Sequence, residues 1–159
     1  MPRGKRITKR KVKLDHLYHS RLVSKLINKV MRQGKKAIAQ SLVYGAFSLV
    51  EERTNQKPLE VFRRALDNIK PSMEVRPRRI GGAAYQVPLP VRGKRRESLA
   101  VRWLIQAARS RSSKDYHSFD LKLAEEIIDA AQGEGSAVKK KRDTHRLAEA
   151  NKAFSHFRW

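Results

Sequence analysis

The sequence predicts a mainly α-helical single domain of about six helices, with a protruding two-stranded β-hairpin arm and a disordered basic N-terminal arm. Three observations lead to this fold class. Apolar residues recur at helical spacing through most of the chain, one stretch near 73–91 alternates and is marked by proline and glycine, and residues 1–13 carry seven basic residues and no acid. A chain of 159 residues suits one hydrophobic core. We therefore expect a flexible basic arm at 1–13 and one helical domain at 14–159.

Apolar spacing places the first three helices. The first begins after Ser20, which suits an N-cap, and ends before Gly34, which suits the C′ position; its apolar residues are Leu22, Val23, Leu26, Ile27, Val30 and Met31. The second runs from about Lys36 to Arg53, with inward side chains at Ile38, Leu42, Val43, Phe47 and Val50. The third has Pro58 in its first turn, stops before Pro71 and buries Phe62, Ala65, Leu66 and Ile69. Residues 51–67 balance four acids against four bases, which indicates a solvated face.

The segment 73–91 reads as a β-hairpin, for which two registers are open. A two-residue turn at Gly81-Gly82 would pair Arg76 with Val87, whereas a three-residue loop at 81–83 would match the apolar positions of the two strands. The apolar match favours the three-residue loop, in which Pro88 and Pro90 point outward. Pro77 is then expected to force a bulge or break near Arg76. Prolines on both strands exclude a central sheet position and indicate a free arm rooted on the domain.

Three further helices complete the predicted domain. The fourth spans about 97–110, with Ala100, Trp103, Leu104 and Ala107 on one side and Arg95, Arg102 and Arg109 on the other. Residues 111–117 read as a loop, and the fifth helix spans 119–131. The sixth starts near Ser136 and runs towards the C-terminus, with a late apolar stripe formed by Leu147, Ala150, Phe154 and Phe157.

The charge of the chain points to a nucleic-acid partner. Thirty-seven Lys and Arg residues against 15 Asp and Glu give a formal charge of +22, which repels itself unless a polyanion neutralises it. A membrane surface is disfavoured, because the sequence has no bilayer-spanning apolar run and no single basic amphipathic helix. The absence of cysteine fits a reducing compartment, and the N-terminus lacks the apolar core of a secretory signal.

The hairpin carries the strongest binding signal. Guanidinium groups grip phosphates and stack on bases, no acid lies between Arg76 and Arg96, and Tyr85 offers a stacking plane. Arg95, Arg102 and Arg109 form a stripe with no acidic residue four positions away to pair with, which favours contact with phosphates. Lys35 and Lys36 are further candidates for contact with the phosphate backbone. Trp103 reads as a core residue because it shares a face with Leu104 and Ala107.

Signals for catalysis or metal binding are weak. His16 and His19 could meet on a helix but lack a third ligand, and Asp143 and His145 face different ways with no evident nucleophile. Gly133 to Gly135 links two helices and follows no strand, so it is no nucleotide fingerprint. We expect no enzyme, no cofactor and no metal. An architectural DNA-binding protein remains the alternative, although such proteins are usually symmetric dimers.

Four motifs together resemble one family, the bacterial and organellar form of ribosomal protein seven of the small subunit. They are GKKAIAQSLVYGA after the first helix, RRIGGAAYQVP in the hairpin, SLAVRWL in the fourth helix and HRLAEANKAFSHFRW at the C-terminus. The resemblance covers essentially the whole chain, and only the 111–120 segment RSSKDYHSFD departs from the pattern.

The resemblance implies a non-enzymatic protein that binds small-subunit ribosomal RNA, nucleates assembly of the subunit head and places its hairpin near the exit-site tRNA and outgoing mRNA. It implies a cytoplasmic location on the ribosome, with an organellar ribosome left open, and no homo-oligomer. The implied ribosomal RNA contacts are Arg3, Lys5, Arg6, Lys9, Arg10, Lys11, Lys35, Lys36, Arg76, Arg78, Arg79, Arg92, Lys94, Arg95, Arg96, Arg102 and Arg109. The implied tRNA- and mRNA-facing tip is Gly81, Gly82, Ala83, Ala84 and Tyr85. The last helix is expected to meet a neighbouring ribosomal protein through Phe154, Phe157 and Trp159.

Overall fold

The computed structural model describes Gly4 and residues 12–157, where it contains six α-helices, one antiparallel hairpin and a terminal 3-10 helix. The elements in chain order are α1 (Arg21–Val30), α2 (Lys36–Thr54), α3 (Pro58–Ile69), β1 (Met73–Ile80), β2 (Ala83–Pro90), α4 (Gly93–Ser110), α5 (Phe119–Gln132), α6 (Gly135–Ala150) and the 3-10 helix Lys152–Phe157. The predicted mainly helical class with a two-stranded hairpin is confirmed. Most of the predicted arm at 1–13 lies outside the described residues.

The core forms around α5, which packs against α2, α3, α4 and α6. Its largest fully buried side chains include Phe47 of α2, Phe62 of α3, Leu104 of α4 and Ile127 of α5. Trp103 is 8% exposed and belongs to this core, as its spacing predicts. Within the described part of the chain, every buried side-chain nitrogen or oxygen has a hydrogen-bond partner. The core is therefore a helix-on-helix interior with its polar groups satisfied.

The first two helices differ from the prediction at two positions. Ser20 occupies the N-cap of α1 with extended backbone, but α1 ends at Val30, so Gly34 lies beyond its C′ position, in the turn that leads into α2. Ile38 was predicted to point inward and is 58% exposed. The buried face of α2 is set by Ala39, Val43, Ala46, Phe47 and Val50, and Ile38 lies about a quarter turn from that face.

The middle helices agree with the sequence prediction, and the last one does not. The bounds of α3 and its buried residues Phe62, Ala65, Leu66 and Ile69 are confirmed, whereas α4 begins at Gly93, one turn before the predicted start. The predicted long sixth helix ends at Ala150 and continues as the 3-10 helix. The predicted apolar stripe fails at Leu147, which is 58% exposed, and at Ala150, because Ala148 is the residue that turns inward.

The hairpin adopts the register that the apolar match disfavours. Arg76 pairs with Val87 and Ile80 pairs with Ala83, so the turn has two residues, Gly81 and Gly82. Both glycines have positive φ, 56° and 88°. A two-residue type I′ turn requires this backbone conformation, which residues with a side chain rarely adopt. The predicted three-residue loop is therefore wrong, because turn geometry outweighs the match of apolar side chains.

The same register explains why the prolines cause no break. In an antiparallel ladder, opposed residues alternate between hydrogen-bonded and non-hydrogen-bonded pairs, and a two-residue turn makes Ile80 and Ala83 a bonded pair. Pro77, Pro88 and Pro90 then all fall on non-bonded pairs, where an N–H would point away from the partner strand. The pairing runs without interruption from Met73 to Ile80, and the expected bulge near Arg76 is absent from this described strand.

The arm is not free along its whole length. Helix α6 packs against both strands, and the 3-10 helix packs against β2. Val87 and Pro88 are buried there, so the predicted outward position of Pro88 is wrong. Within residues 12–157, no helix is both long and apolar enough to cross a bilayer.

Candidate nucleic-acid interface

Exposed basic side chains run along β1, as far as the residue that pairs with Ala84, and continue around the start of α4. The exposed set from the two elements is Arg76, Arg78, Arg79, Arg92, Lys94, Arg95 and Arg96. The hairpin projects three of these from one strand, and the first turn of α4 adds the others. We call this set the hairpin-base cations.

One acid, Glu74, organises part of this set. It is 8% exposed, and its carboxylate accepts hydrogen bonds from Nε of Arg76 at 2.6 Å and from Nε of Arg95 at 2.8 and 2.9 Å. Burial raises the pKa of Glu74, but the hydrogen bonds and charges of Arg95 and Arg76 outweigh burial and hold the pKa below its ordinary value. Arg95 therefore ties α4 to β1 through Glu74, Arg76 holds the same carboxylate from within β1, and part of each arginine side chain remains exposed.

Helix α6 adds two basic residues that the sequence analysis did not select. Nζ of Lys141 donates to the carbonyl of Asn68 at 2.7 Å, and Arg142 donates to the carbonyl of Gly133 at 3.0 Å. Burial, and then the charges of Arg96 and Arg142, lower the pKa of Lys141. Among the described residues, none of the cations Arg96, Lys141 and Arg142 forms an ion pair. The run of basic residues at 139–142 was the signal in the sequence.

His145 connects this cation cluster to the root of the hairpin. Its Nε2 accepts the backbone N–H of Ser72 at 3.0 Å and lies 3.3 Å from the Ser72 hydroxyl oxygen. Burial, and then the charges of Lys141 and Arg96, lower the pKa of His145, which favours the neutral ring that can accept this bond. The neutral ring of His145 on α6 therefore lies beside the basic residues Lys141 and Arg96, at the root of the hairpin.

A second basic region surrounds an apolar groove between the end of α1 and the start of α5. The groove has a volume of about 440 Å³ and an apolar floor that includes Met31, Ile38 and Phe119. Its basic lining residues are Arg32, Lys35, Arg109 and Lys122. Arg109 also donates to the carbonyl of Val30 at 3.1 Å, and burial, followed by the charge of Arg32, lowers its pKa. Ile38 is exposed because it forms part of this floor.

The other predicted contacts lie apart from these two regions or are not described. Arg102 is exposed in the middle of α4, and Lys36 lines a cleft with Val12, Lys13 and His16, close to where the N-terminal arm enters the domain. Arg3, Lys5, Arg6, Lys9, Arg10, Lys11 and Trp159 lie outside the described residues.

The hairpin tip is uncharged and exposed, and its last predicted residue is held within the chain. Gly81, Gly82, Ala83 and Ala84 are all exposed, and no residue from Ile80 to Ala84 carries a charge. The ring of Tyr85 is half-buried, with its centroid 5.2 Å from that of Phe154 and 5.7 Å from that of Phe157. The two phenylalanines predicted to meet a partner protein therefore also pack on the hairpin.

One charged cluster is internal. Glu126 is fully buried and accepts hydrogen bonds from Nε of Arg111 at 2.8 Å and from the backbone N–H of Ala137 at 2.9 Å, while Asp129 forms a second ion pair with Arg111. A Cβ at Gly135 would stand 2.9 Å from the Glu126 carboxylate oxygen, so glycine is needed there. Sequence reasoning missed this cluster because its members come from a loop and two helices. In residues 12–157, no group of three His, Asp or Glu residues could hold a metal ion.

Comparison with known proteins identifies the family. Residues 2–152 match the model of the family described as ribosomal protein S7p/S5e. This chain belongs to the S7p/S5e family of ribosomal proteins. It is 58% identical over 159 residues to the small ribosomal subunit protein uS7 of Thermoanaerobacter sp. (strain X514), with both chains covered completely. It is also 55% identical over 157 residues to the uS7 protein of Thermotoga maritima, with 99% of each chain covered.

Family membership confirms the coarse functional prediction. A member of the S7p/S5e family is a structural, non-enzymatic protein of the small ribosomal subunit. That subunit is a ribonucleoprotein particle that works in translation in the cytoplasm. The family context gives the two basic regions of this ribosomal protein an obvious class of partner, because RNA supplies the negative charge that Arg96, Lys141 and Arg142 lack within the described chain.

Proposed function

We propose that this S7p/S5e protein binds small-subunit ribosomal RNA through two basic regions, and that this binding nucleates assembly of the subunit head. The observation that carries the proposal is the exposed basic surface of β1 and the start of α4, which continues to Lys141 and Arg142 of α6; burial, and then the charges of Arg96 and Arg142, lower the pKa of Lys141. Like charges held together destabilise the free protein, and phosphates would relieve that repulsion. The hairpin-base cations extend this cluster along β1.

The predicted contacts divide between the two regions. Arg76, Arg78, Arg79, Arg92, Lys94, Arg95 and Arg96 would contact RNA at the hairpin base, and Lys35 and Arg109 would contact it at the groove. Arg102 would add a phosphate contact on α4. The N-terminal residues Arg3, Lys5, Arg6, Lys9, Arg10 and Lys11 would extend the interface beyond the Lys36 cleft. Arg76 and Arg95 would serve both Glu74 and a phosphate, since a guanidinium has five donors.

The tip of the hairpin would have a different partner. Residues 80–84 carry no charge, so they add little to phosphate affinity, and the small residues there let the backbone approach another surface closely. We assign this tip to the exit-site tRNA and the outgoing mRNA, with a steric or positioning role. Phe154, Phe157 and Trp159 would contact a neighbouring ribosomal protein, and the protein would act as a single copy.

A pair of variants tests this division between base and tip. One variant lacks residues 80–84 and is rejoined by a short turn; it should enter subunits normally but change exit-site tRNA retention or reading-frame maintenance. The other carries Arg78→Ala, Arg79→Ala and Arg96→Ala and should assemble poorly. Arg76 and Arg95 are left in place, because their removal would leave the buried Glu74 carboxylate uncompensated.

The matched control removes three basic residues from the charge-balanced face, with Lys57→Ala, Arg63→Ala and Arg64→Ala. Its net charge change equals that of the arginine variant, so it should assemble like the wild type. Subunit incorporation and frameshifting are measured for all three proteins. Normal assembly of the arginine variant together with failed assembly of the tip deletion would refute the proposal.

A further inference from the structure

The middle of the hairpin rests on the C-terminal segment through three aromatic rings. Tyr85 of β2 packs on Phe154 and Phe157 at centroid distances of 5.2 and 5.7 Å, with interplanar angles of 52° and 39°. These tilted arrangements are favourable for aromatic pairs. The contact joins residues about 70 positions apart in sequence, so it ties the end of the chain to the arm.

The conformation of the C-terminal segment makes this contact possible. Phe154 and Phe157 are three residues apart within the 3-10 helix Lys152–Phe157. A 3-10 helix has three residues per turn, so side chains at i and i+3 lie on the same side. An α-helix would place the two rings about 60° apart around its axis. The change from α6 to a 3-10 helix therefore aligns both rings towards Tyr85.

A second anchor holds the hairpin at its root. The backbone N–H of Val91 donates to the carbonyl of Ser72 at 2.8 Å, and Glu74 is bonded to Arg95 of α4. From Met73 to Ile80 the strand rises about 23 Å, at about 3.3 Å per residue. From Tyr85 to Ala83 it rises only about 7 Å by the same measure. Val87 and Pro88 are also buried against the domain, and from Val87 to Ala83 the strand rises about 13 Å, so an anchor at Tyr85 shortens the lever between the last fixed point and the tip about twofold.

We propose that Tyr85, Phe154 and Phe157 form an aromatic clasp by which the C-terminal 3-10 helix positions the hairpin tip. Two-stranded hairpins are marginally stable alone, so the part of the arm beyond the buried Val87 and Pro88 would swing and fray without a further contact. The clasp fixes its middle and leaves the turn and the residues next to it to meet a ligand. Tyr85 is a positioning residue in this account. The functional value of the clasp rests on the proposed role of the tip, while its mechanical effect does not.

Spin-label distances in the full-length free protein test the clasp. The chain has no cysteine, so Ser48→Cys on α2 and Ala83→Cys at the tip place two labels without background labelling. The distance distribution should be narrow in this reference protein. Tyr85→Ala should widen it about twofold, in proportion to the longer lever from Val87 to the tip. Tyr85→Phe keeps the ring and removes only the hydroxyl group, so its distance distribution should be as narrow as that of the reference protein. This result would show that Tyr85→Ala acts through loss of the ring and not through loss of the hydroxyl group.

Phe154→Ala gives an independent version of the test, because it lies outside the hairpin and leaves both strands unchanged. It should also widen the distribution, and exchange of the hairpin amides near Tyr85 should accelerate about tenfold, the factor that corresponds to about 1.4 kcal/mol. Leu17→Ala removes an equally apolar side chain that is 61% exposed and should change neither quantity. If Tyr85→Ala and Phe154→Ala both give distance distributions as narrow as that of the reference protein, the clasp is refuted.

The ribosomal consequence is measured separately. Subunits that carry Phe154→Ala, compared with wild-type subunits at equal incorporation, should show the same kind of frameshifting as the tip deletion, to a smaller extent. If the tip deletion itself causes no such change, the proposed role of the tip fails, but the label distances still decide whether the clasp exists. If the distances widen and the tip deletion frameshifts, normal frame maintenance by Phe154→Ala would overturn the functional value of the clasp.

Discussion

Two charged clusters of this ribosomal protein differ in how their charges are balanced. Arg111 lies between Glu126 and Asp129, and the Glu126 carboxylate is completed by the backbone N–H of Ala137. The charges of Arg96 and Arg142 both act on Lys141, and the described part of the chain gives none of the three an ion pair. The first cluster is closed within the fold, whereas the second is balanced only when something outside the protein supplies negative charge.

The comparison shows that net charge alone does not locate an RNA interface. Arg111 carries the same unit charge as Arg96, yet its guanidinium is already bound, and burial of that group is outweighed by the two carboxylates, which raise the pKa of Arg111 above the ordinary value. Removing one partner of a buried ion pair leaves an uncompensated buried charge and destabilises the fold, while cations held together lower the stability of the free protein. The unpaired cations are therefore the ones to test for RNA binding.

The largest expected effect is on RNA affinity. If about six to ten phosphates are neutralised, affinity for small-subunit ribosomal RNA should fall about 10³- to 10⁵-fold between about 50 and 200 mM salt. Replacing Arg96, Lys141 and Arg142 by Gln should reduce the slope of log affinity against log salt by about 3, one per lost contact. Filter binding or fluorescence titration over a salt series measures both. An unchanged slope in the triple variant would place the contacts elsewhere.

The closed cluster should instead control stability. Glu126→Ala leaves Arg111 and the Ala137 N–H without their partner in a fully buried site, so the free energy of unfolding should fall by about 3–5 kcal/mol. Glu125→Ala is the matched control, because this neighbour pairs with Arg53 at the surface and should change stability by less than about 1 kcal/mol. Urea denaturation measures both. Equal losses of unfolding free energy in the two variants would show that the burial of Glu126 does not contribute to stability.

A smaller effect is expected from pH. The lowered pKa of His145 means that the unfolded chain binds a proton more readily than the fold does. The stability that this histidine contributes is present above its unfolded pKa of about 6.5 and is lost as pH falls through the lower folded value. His145→Gln retains an acceptor for the Ser72 N–H but does not titrate.

Thermal denaturation at about pH 7.5 and pH 5.5, both near the histidine range, should show a smaller pH dependence for His145→Gln than for the wild type. His117→Gln, an exposed substitution elsewhere, serves as the control and should retain the wild-type dependence. The same pH dependence in all three proteins would contradict the role of His145 as the titrating group.

Much of this fold could be predicted from the sequence because its signals are local. The helical spacing of Phe62, Ala65, Leu66 and Ile69, together with Pro58 at one end, specifies α3 without reference to any other element. Trp103 could be assigned to the core from its own helix face. The four family motifs likewise lie in continuous stretches of sequence, so the family was accessible before the fold.

The candidate site was only partly predictable. The basic residues of the hairpin and α4 were visible as a run without acids, but Glu74 lies just outside that run and its bonds to Arg76 and Arg95 depend on how β1 meets α4. The cluster with Lys141 needed α6 to pack beside the start of α4. A one-dimensional pattern counts charges, but it does not show which of them neutralise one another.

The sequence by itself determined helices such as α3 and the basic character of the surface, since each depends on neighbouring residues, but it left the hairpin register open between a two-residue and a three-residue turn. Only the tertiary structure decided that Ile38 lines a groove, that Arg111 closes on Glu126 and that Tyr85 rests on Phe154 and Phe157. These contacts join residues far apart in the chain. Their free energy depends on the relative placement of whole elements, and packing sets that placement only when the core forms.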